Sequence, residues 1–451
     1  MENRDKRIIS ILTFLLVFAL LWLPYFNPSG YIGPEGILRL DQVILPVFAL
    51  ALAVYRPKFF RIPVNLVVVG LVLVVSIISL SIVTNLFLHD NPGRVGDFFD
   101  VVVWTSYVGL IIAIGGNLPS EISSRALRWI LVLSTGVAIF GVLQSFDFEF
   151  AVEGLAPIYT WRDLRLVRLA PTATTSNPND LAKMLALPLF FSLGLLYRRI
   201  SIGKVRENLR NTVITGTIVA LFSYVIIQSN SRSGLGAVVI GSFVLFFLLF
   251  AGKMGTKRQR RIFLISASVT IGLTLLVIIF VLELSTFRYL QAPLQDPSLQ
   301  MRFDRWVKII PIIRDQPLLG HGPSKHFLQA VPYNDIDSGL LAWLYHYGIL
   351  GLVAYLLVVL GALKIGIQTI LNRDLFEQQP DAWAAAVAIV AWFSGFTVSW
   401  TFIAIPQARR VFVLSLLVLA FLISINMDEE SIVDSGSPRD FGDLEYYTDR
   451  T

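Results

Sequence analysis

Residues 64–88 read VNLVVVGLVLVVSIISLSIVTNLFL, an apolar block that contains no charged side chain. A helix of about 20 mostly apolar residues crosses a hydrocarbon layer of roughly 30 Å. Such a helix also satisfies its own backbone hydrogen bonds inside lipid. The block is therefore predicted to be a transmembrane helix.

Blocks of the same kind recur along the chain, which has 451 residues, of which 55% are hydrophobic and only 15% are charged. This pattern predicts an all-α integral membrane protein, because a soluble core does not need such long apolar runs. We predict about twelve transmembrane helices of suitable length. They cover residues 8–24, 37–54, 64–88, 98–114, 127–145, 181–197, 212–228, 235–250, 262–282, 338–363, 383–402 and 411–425.

The lysines and arginines between the spans predict the orientation, because basic loops are retained in the cytoplasm. Arg4, Lys6 and Arg7 precede the first span, every second connection is again basic, and the densest cluster lies at residues 253–261. Both termini are therefore predicted to be cytoplasmic. Two long connections, residues 146–180 and 283–337, are predicted to be external, and the larger one lies between the ninth and tenth spans.

Residues 1–427 are predicted to form one polytopic transmembrane domain. Residues 428–451 are acidic and contain few apolar side chains. This composition predicts a solvated, disordered cytoplasmic tail.

The composition also excludes several function classes. The net charge of +6 is explained by basic loops beside acidic lipid, so no nucleic-acid partner is predicted. The chain has no cysteine and therefore no disulfide framework or thiolate chemistry. His321 and His326 are five positions apart in Gly-Pro-rich sequence, unlike a helical zinc pair, so neither a metal site nor a cofactor is predicted.

Arginines in the two external connections run against the usual charge bias of membrane proteins. Arg168 lies in the first connection, and Arg302 and Arg305 lie in the second. A guanidinium group matches phosphate oxygens in bidentate geometry, so these residues are candidate phosphate ligands. The alternative is ion pairing with nearby carboxylates such as Glu153.

Arg232 lies in the short external link QSNSRSGLG at residues 228–236, where the next helix is predicted to begin. The free amide groups at a helix start favour an anion. The alternative is an arginine anchored at the lipid headgroups.

Four stretches of the sequence carry the patterns of a known family. They are residues 168–182 (RLAPTATTSNPNDLA), residues 231–235 (SRSGL), residues 302–306 with 316–323 (RFDRW and QPLLGHGP), and residues 337–352 (DSGLLAWLYHYGILGL). In order and spacing they resemble the O-antigen ligase and O-antigen polymerase superfamily of bacterial envelope-glycan assembly. The motif residues that the resemblance marks as structural are Asn177, Asn179, Trp306, Gly320, Gly322, Gly348 and Gly351.

The resemblance implies a GT-C-like fold that transfers a glycan from a polyprenyl diphosphate to a sugar hydroxyl at the outer face of the cytoplasmic membrane. It implies Arg168 and Arg232 as the diphosphate clamp, followed by Arg302 and Arg305. The general base is then Asp337, with His321 and His326 as alternatives, and no metal or cofactor takes part. The expected partners are the lipid-linked glycan, membrane lipids and a chain-length regulator.

Asp337 is the main departure from the family pattern, because ligases commonly have a histidine at that position and polymerases tolerate aspartate. The departure favours a polymerase. A ligase that moves finished glycan to a lipid or protein acceptor remains the alternative within the family. A flippase for lipid-linked oligosaccharides is the alternative from another class.

The orientation leads to a direct prediction. A reporter tag inserted near Pro297 is expected to be external, whereas tags at Lys257 and at the C-terminus are expected to be cytoplasmic, because basic loops stay inside. Labelling of intact cells with an impermeant reagent checks each tag. A cytoplasmic tag near Pro297 contradicts the orientation.

Overall fold

A computed structural model describes residues 3–23, 48, 62–63, 65–88, 95–159, 167–168, 170–175, 177–202, 209–251, 297–322, 338–400 and 409–434. Within these residues all regular secondary structure is helical. We number the α-helices over this part of the chain. They are α1 (Asn3–Trp22), α2 (Leu66–Leu88), α3 (Val95–Asn117), α4 (Ser120–Ser145), α5 (Ala156–Tyr159), α6 (Pro178–Ser201), α7 (Leu209–Gln228), α8 (Arg232–Ala251), α9 (Pro297–Asp315), α10 (Gly339–Leu371), α11 (Arg373–Gln378), α12 (Pro380–Trp400) and α13 (Arg409–Asp434). A π-helix, Phe150–Leu155, precedes α5.

Five of the described helices are long and apolar enough to cross a membrane. They are Leu66–Phe87, Ser120–Ser145, Pro178–Ser201, Leu209–Gln228 and Gly339–Leu371. The quoted block 64–88 is thus confirmed as a helix of spanning length. The predicted spans 37–54 and 262–282 lie outside the described residues, apart from residue 48.

Small residues let the long helices approach closely. A Cβ added at Gly70 of α2 would lie 2.8 Å from the backbone nitrogen of Val358 in α10. On the other side of the contact, a Cβ at Gly361 would lie 2.7 Å from the backbone nitrogen of Val67. Close backbone contact of this kind is typical of helix pairs that associate inside a membrane.

Helix α12 forms the centre of the bundle, where it contacts α6, α8 and α10. Its residues from Ala382 to Phe393 are all buried. The first half of α13 is also buried on every side, from Val411 to Ile425. Helices that are apolar all round belong inside a bundle, so α12 and α13 position the helices that carry the motifs.

Polar contacts gather several helix ends at one end of the bundle. Lys6 at the start of α1 lies 3.6 Å from Glu121 at the start of α4. Arg128 of α4 lies 2.6 Å from Asp381 at the start of α12. Arg198, near the end of α6, donates to the carbonyl oxygen of Glu377 just before α12. The basic connections of α1, α4 and α6 therefore share one end.

Helix α13 continues to Asp434, into the acidic segment that follows residue 427. The backbone of residues 428–434 is thus helical. Residues 435–451 of the predicted tail lie outside the described residues.

Candidate active site

Helix α10 is broken at Gly348, where φ is 64° and ψ is −166°. The break separates backbone groups that would otherwise bond to each other along the helix. The freed carbonyl of Tyr345 accepts a hydrogen bond from the N–H of His321 at 2.7 Å. The carbonyl of His346 accepts from the N–H of Gly322 at 2.9 Å.

The N–H groups that the break frees on its C-terminal side find partners in residues just before His321. The N–H of Ile349 donates to the carbonyl of Pro317 at 2.8 Å, and the N–H of Leu350 donates to that of Leu318 at 3.2 Å. Residues 317–322 of the PLLGHG motif therefore replace the missing helix hydrogen bonds. Buried backbone polar groups need such partners.

Two of the motif glycines are explained by this contact. Gly320 has a φ of +64°, and a Cβ there would lie 2.6 Å from the carbonyl oxygen of Tyr345. Gly348 also has a positive φ, and a Cβ there would lie 2.2 Å from the carbonyl oxygen of Leu318. Both the backbone conformation and the close approach exclude a side chain.

Two polar residues of α2 hold the segment in place. The amide nitrogen of Asn85 donates to the carbonyl of Gly320 at 3.1 Å. The hydroxyl of Ser81 donates to the carbonyl of His346 at 3.3 Å. Neither residue was predicted, although both are polar, lie four positions apart in an apolar span and so share one helix face.

His321 is 4% exposed and has a packing role in the structure. Its ring stacks on that of Tyr345, with centroids 5.0 Å apart, and its Nε2 lies 2.8 Å from the carbonyl oxygen of Ile312. A carbonyl oxygen only accepts, so Nε2 carries the proton. His346 in the same way donates from Nδ1 to the carbonyl of Gly322 at 2.8 Å.

Helix α9 packs against the first part of α10. His321 lies between the two helices, because its ring binds the carbonyl of Ile312 and stacks on Tyr345. Ile309 belongs to the apolar cluster that contains Ala342. Arg305 lies one turn before Ile309 and is half-buried.

Arg302 and Trp306 share the half-buried face of α9 on which Arg305 lies. Ser338 caps the start of α10 by accepting a hydrogen bond from the N–H of Leu341 at 3.3 Å. Asp337 directly precedes Ser338 in the chain. Asp337 and His326 both lie outside the described residues.

The NPND motif caps helix α6. The side chain of Asn177 accepts from the N–H of Asp180 at 2.9 Å and donates to its carboxylate at 2.7 Å. Pro178 occupies the first turn, where a missing N–H does no harm. Asn179 follows and is half-buried.

The loop before α6 is fixed by buried hydrogen bonds. The side-chain oxygen of Gln144 in α4 accepts from the N–H groups of Thr172 and Ala173, at 3.0 and 2.8 Å. The hydroxyl of Thr174 donates to the carbonyl of Leu21 in α1 at 2.7 Å. The loop is therefore held at the end of α1 and α4 opposite to Lys6 and the other basic contacts.

The SRSG turn starts helix α8 directly beside α6. The hydroxyl of Ser231 accepts from the N–H of Gly234 at 3.0 Å. A Cβ at Gly234 would lie only 2.3 Å from the Cβ of Ala182, which follows the NPND motif. The backbone of Arg232 begins α8, so the structure brings this position next to the start of α6; only its backbone is described.

Arg168 is paired with two carboxylates. Its Nε lies 3.0 Å from Asp147, and its Nη2 lies 2.9 Å from Glu153. The alternative of ion pairing with Glu153 is thus observed. All three side chains are at least 44% exposed, and exposed pairs contribute only about 0–1 kcal/mol, so an anionic ligand can exchange with them.

Lys183 of α6 is a charged residue that the sequence analysis missed. It is 1% exposed and lies one turn after the buried Asp180. Its Nζ lies 6.0 Å from the ring centroid of Phe396 in α12. The available signal was an ionisable pair at the start of an apolar span, because ionisable residues are costly to bury there and are candidates for a functional role.

Within the described residues, no group of three or more acidic or histidine side chains is arranged to hold a metal ion. The candidate residues instead fall into two groups of helix segments at one end of the bundle, which we call the two arms of the site. One arm is the start of α6 and α8 with the Arg232 backbone, and the other is α9 with the start of α10.

An all-helical bundle with several apolar helices of spanning length, and with motif segments gathered at one end, is a multi-pass membrane protein. A family model described as O-antigen ligase matches residues 217–356. This match confirms the predicted resemblance to the O-antigen ligase and polymerase superfamily over that part of the chain. A search of curated proteins finds no significant match.

The broken helix leads to a prediction about stability. Gly348→Ala and Gly320→Ala are expected to lower the unfolding temperature, because a positive-φ conformation of this kind alone costs a non-glycine residue roughly 1–3 kcal/mol. The clash with the facing backbone adds to this. Thermal unfolding of the purified protein in detergent measures the effect.

Gly109→Ala in α3 is the matched control, because nothing lies within 4 Å of a Cβ added there. It is expected to be neutral or to stabilise by up to about 1 kcal/mol through helix propensity. Equal unfolding temperatures for Gly348→Ala and Gly109→Ala contradict the account.

Proposed function

We propose that this protein polymerises glycan repeat units carried on a polyprenyl diphosphate, at the outer face of the cytoplasmic membrane. The observation that carries the proposal is the family match over residues 217–356. It includes the SRSG turn, α9, the PLLGHG segment and the start of α10. Those segments hold most of the candidate residues.

In this proposal the whole chain up to residue 427 is one membrane domain of about twelve spans with a GT-C-like arrangement. Both termini face the cytoplasm, and connections 146–180 and 283–337 face outward. The grouping of Lys6, Arg128 and Arg198 at one end of the bundle supports this orientation. The motif segments lie at the opposite end.

The arginines act on the leaving group. When the bond between the sugar and the diphosphate oxygen breaks, negative charge develops on the diphosphate. Positioned guanidinium groups then stabilise the transition state more than the ground state. Arg168 and Arg232 form the clamp, and Arg302 and Arg305 approach from the second arm.

Asp337 accepts the proton of the incoming sugar hydroxyl as its oxygen forms the new glycosidic bond. The polyprenyl diphosphate departs with the bonding electrons of the broken bond, so the charges balance without a metal ion. The burial of His321, which is 4% exposed and donates from Nε2 to Ile312, supports Asp337 over His321 as the base. A chain-length regulator is the proposed protein partner.

A ligase is the second candidate, favoured by the description of the matching family as O-antigen ligase. It uses the same donor and the same leaving group, and differs in transferring finished glycan once to another acceptor. The flippase alternative receives no support from the family match.

The clamp is tested by conservative substitution. Arg168→Lys and Arg232→Lys are expected to lose most glycan extension, because an ammonium group cannot make the bidentate contact of a guanidinium group. The measurement is glycan chain length in cells, with protein accumulation checked by blotting. Arg125→Lys, in the exposed pair with Glu121 at the opposite end, is the control. Wild-type chain length in both clamp variants contradicts the assignment.

The base is tested with Asp337→Asn, which keeps the size of the side chain but cannot take up a proton. Extension of a purified polyprenyl-diphosphate repeat unit is expected to slow by about 100-fold to 10,000-fold, the range of general-base contributions. Asp304→Asn on the exposed face of α9 serves as control. The product ladder is read with and without a chelator.

The outcomes separate the alternatives. A ladder that survives chelation and is lost in Asp337→Asn supports a metal-independent polymerase with this base. Single transfer to an acceptor without a polyprenyl group favours the ligase. A normal ladder from Asp337→Asn removes the role of this residue, and loss of the wild-type ladder on chelation removes metal independence.

A further inference from the structure

Helix α9 has three different faces. One face carries Ile309 and packs on α10. A second face is charged and exposed, with Asp304, Lys308 and Asp315. The third face is apolar and also exposed. It consists of Phe303, Val307 and Ile310, and it ends at the exposed Arg314, one turn after Ile310.

The apolar face is a regular stripe. Phe303, Val307 and Ile310 are spaced by four and three positions, which places them on one side of a helix. Val307 is 68% exposed. Large exposed apolar patches on a protein surface mark contact with another apolar phase. The position of this patch indicates which phase.

The stripe of α9 continues onto a transmembrane helix. Leu318 follows α9 and is 61% exposed. Its backbone carbonyl accepts a hydrogen bond from the N–H of Leu350 in α10. Leu350 begins a second exposed stripe that runs down α10 through Val353 and Leu360. Since α10 is a candidate membrane span, this second stripe faces lipid. Apart from Arg314, whose long side chain can extend its charge to the headgroups, the two stripes form one apolar surface.

We infer that α9 is an interfacial helix that lies in the headgroup layer, with Phe303, Val307 and Ile310 against the acyl chains. The occupant of the exposed face is therefore the lipid bilayer. Asp304 and Lys308 face water on the adjoining side. An amphipathic helix with one apolar and one charged face adopts this position at a membrane surface.

This inference rests on the proposed function for the identity of the leaflet, which is the outer one. It explains why the arginines of the second arm lie on α9. A helix at headgroup depth places Arg302 and Arg305 at the level of lipid phosphates, where the diphosphate of a membrane-bound donor also lies. The helix then sets the depth at which the donor is held.

The absence of cysteine from the chain allows single labels without background substitutions. Phe303→Cys, Val307→Cys and Ile310→Cys are compared with Asp304→Cys and Lys308→Cys. Each full-length variant carries a nitroxide label in vesicles of phosphatidylethanolamine and phosphatidylglycerol. Val353→Cys on the exposed stripe of α10 is the lipid reference.

Collision with oxygen, which concentrates in lipid, is compared with collision with a water-soluble nickel chelate. Labels at the three apolar positions are expected to meet oxygen several-fold more often than the chelate, as at Val353. Labels at Asp304 and Lys308 are expected to show the reverse. This alternation along one helix is the signature of an interfacial position.

Preferential collision with the chelate at all five positions of α9 overturns the inference, because the helix then lies in water. Protection of the apolar positions from both reagents overturns it as well, because another protein surface then covers them. The readout needs no glycan substrate. A failed inference is therefore distinguishable from a failed polymerase assignment, which the extension assay tests separately.

Discussion

Backbone hydrogen bonding across the break in α10 is the interaction on which the candidate site depends. Gly348 is buried and interrupts α10. An unsatisfied backbone group in such surroundings is costly, so non-helical backbone is tolerated only where protein supplies partners. Residues 317–322 supply all four of them. The same contact fixes α9 beside α10.

The first arm is built by a different device, helix capping. Asn177 and Ser231 each accept an N–H from the first turn of their helix, so α6 and α8 begin at defined residues. The contact of Gly234 with Ala182 then sets the two helix starts side by side. Two helix N-termini that meet at one end of a bundle present free N–H groups to the same volume. That arrangement suits an anionic group.

The sequence predicted the helices well where hydrophobicity decides. The block 64–88 became Leu66–Leu88, and 212–228 became Leu209–Gln228, since apolar length alone determines a span. The family motifs also indicated that Gly320 and Gly348 matter. The sequence did not show why these positions need glycine, because a positive φ and the close approach of a distant backbone leave no periodic pattern.

Other features escaped prediction for similar physical reasons. Asn85 binds a carbonyl that is distant in sequence, and such pairing depends on tertiary packing. The pairing of Arg168 with Asp147 is likewise set by how the chain turns after α4. Asp337, His326 and the side chain of Arg232 remain predictions from sequence, because the structure describes none of them.

The backbone hydrogen bonds between residues 317–322 and the break in α10 restrict where the chain can gain or lose residues. Four hydrogen bonds join the two segments in a fixed register, so one residue inserted within residues 317–322 or 345–350 displaces several partners at once. Insertions within residues 323–337 leave that register intact, since both paired segments lie outside them. Related chains should therefore differ in length between the two segments while each segment keeps its own length.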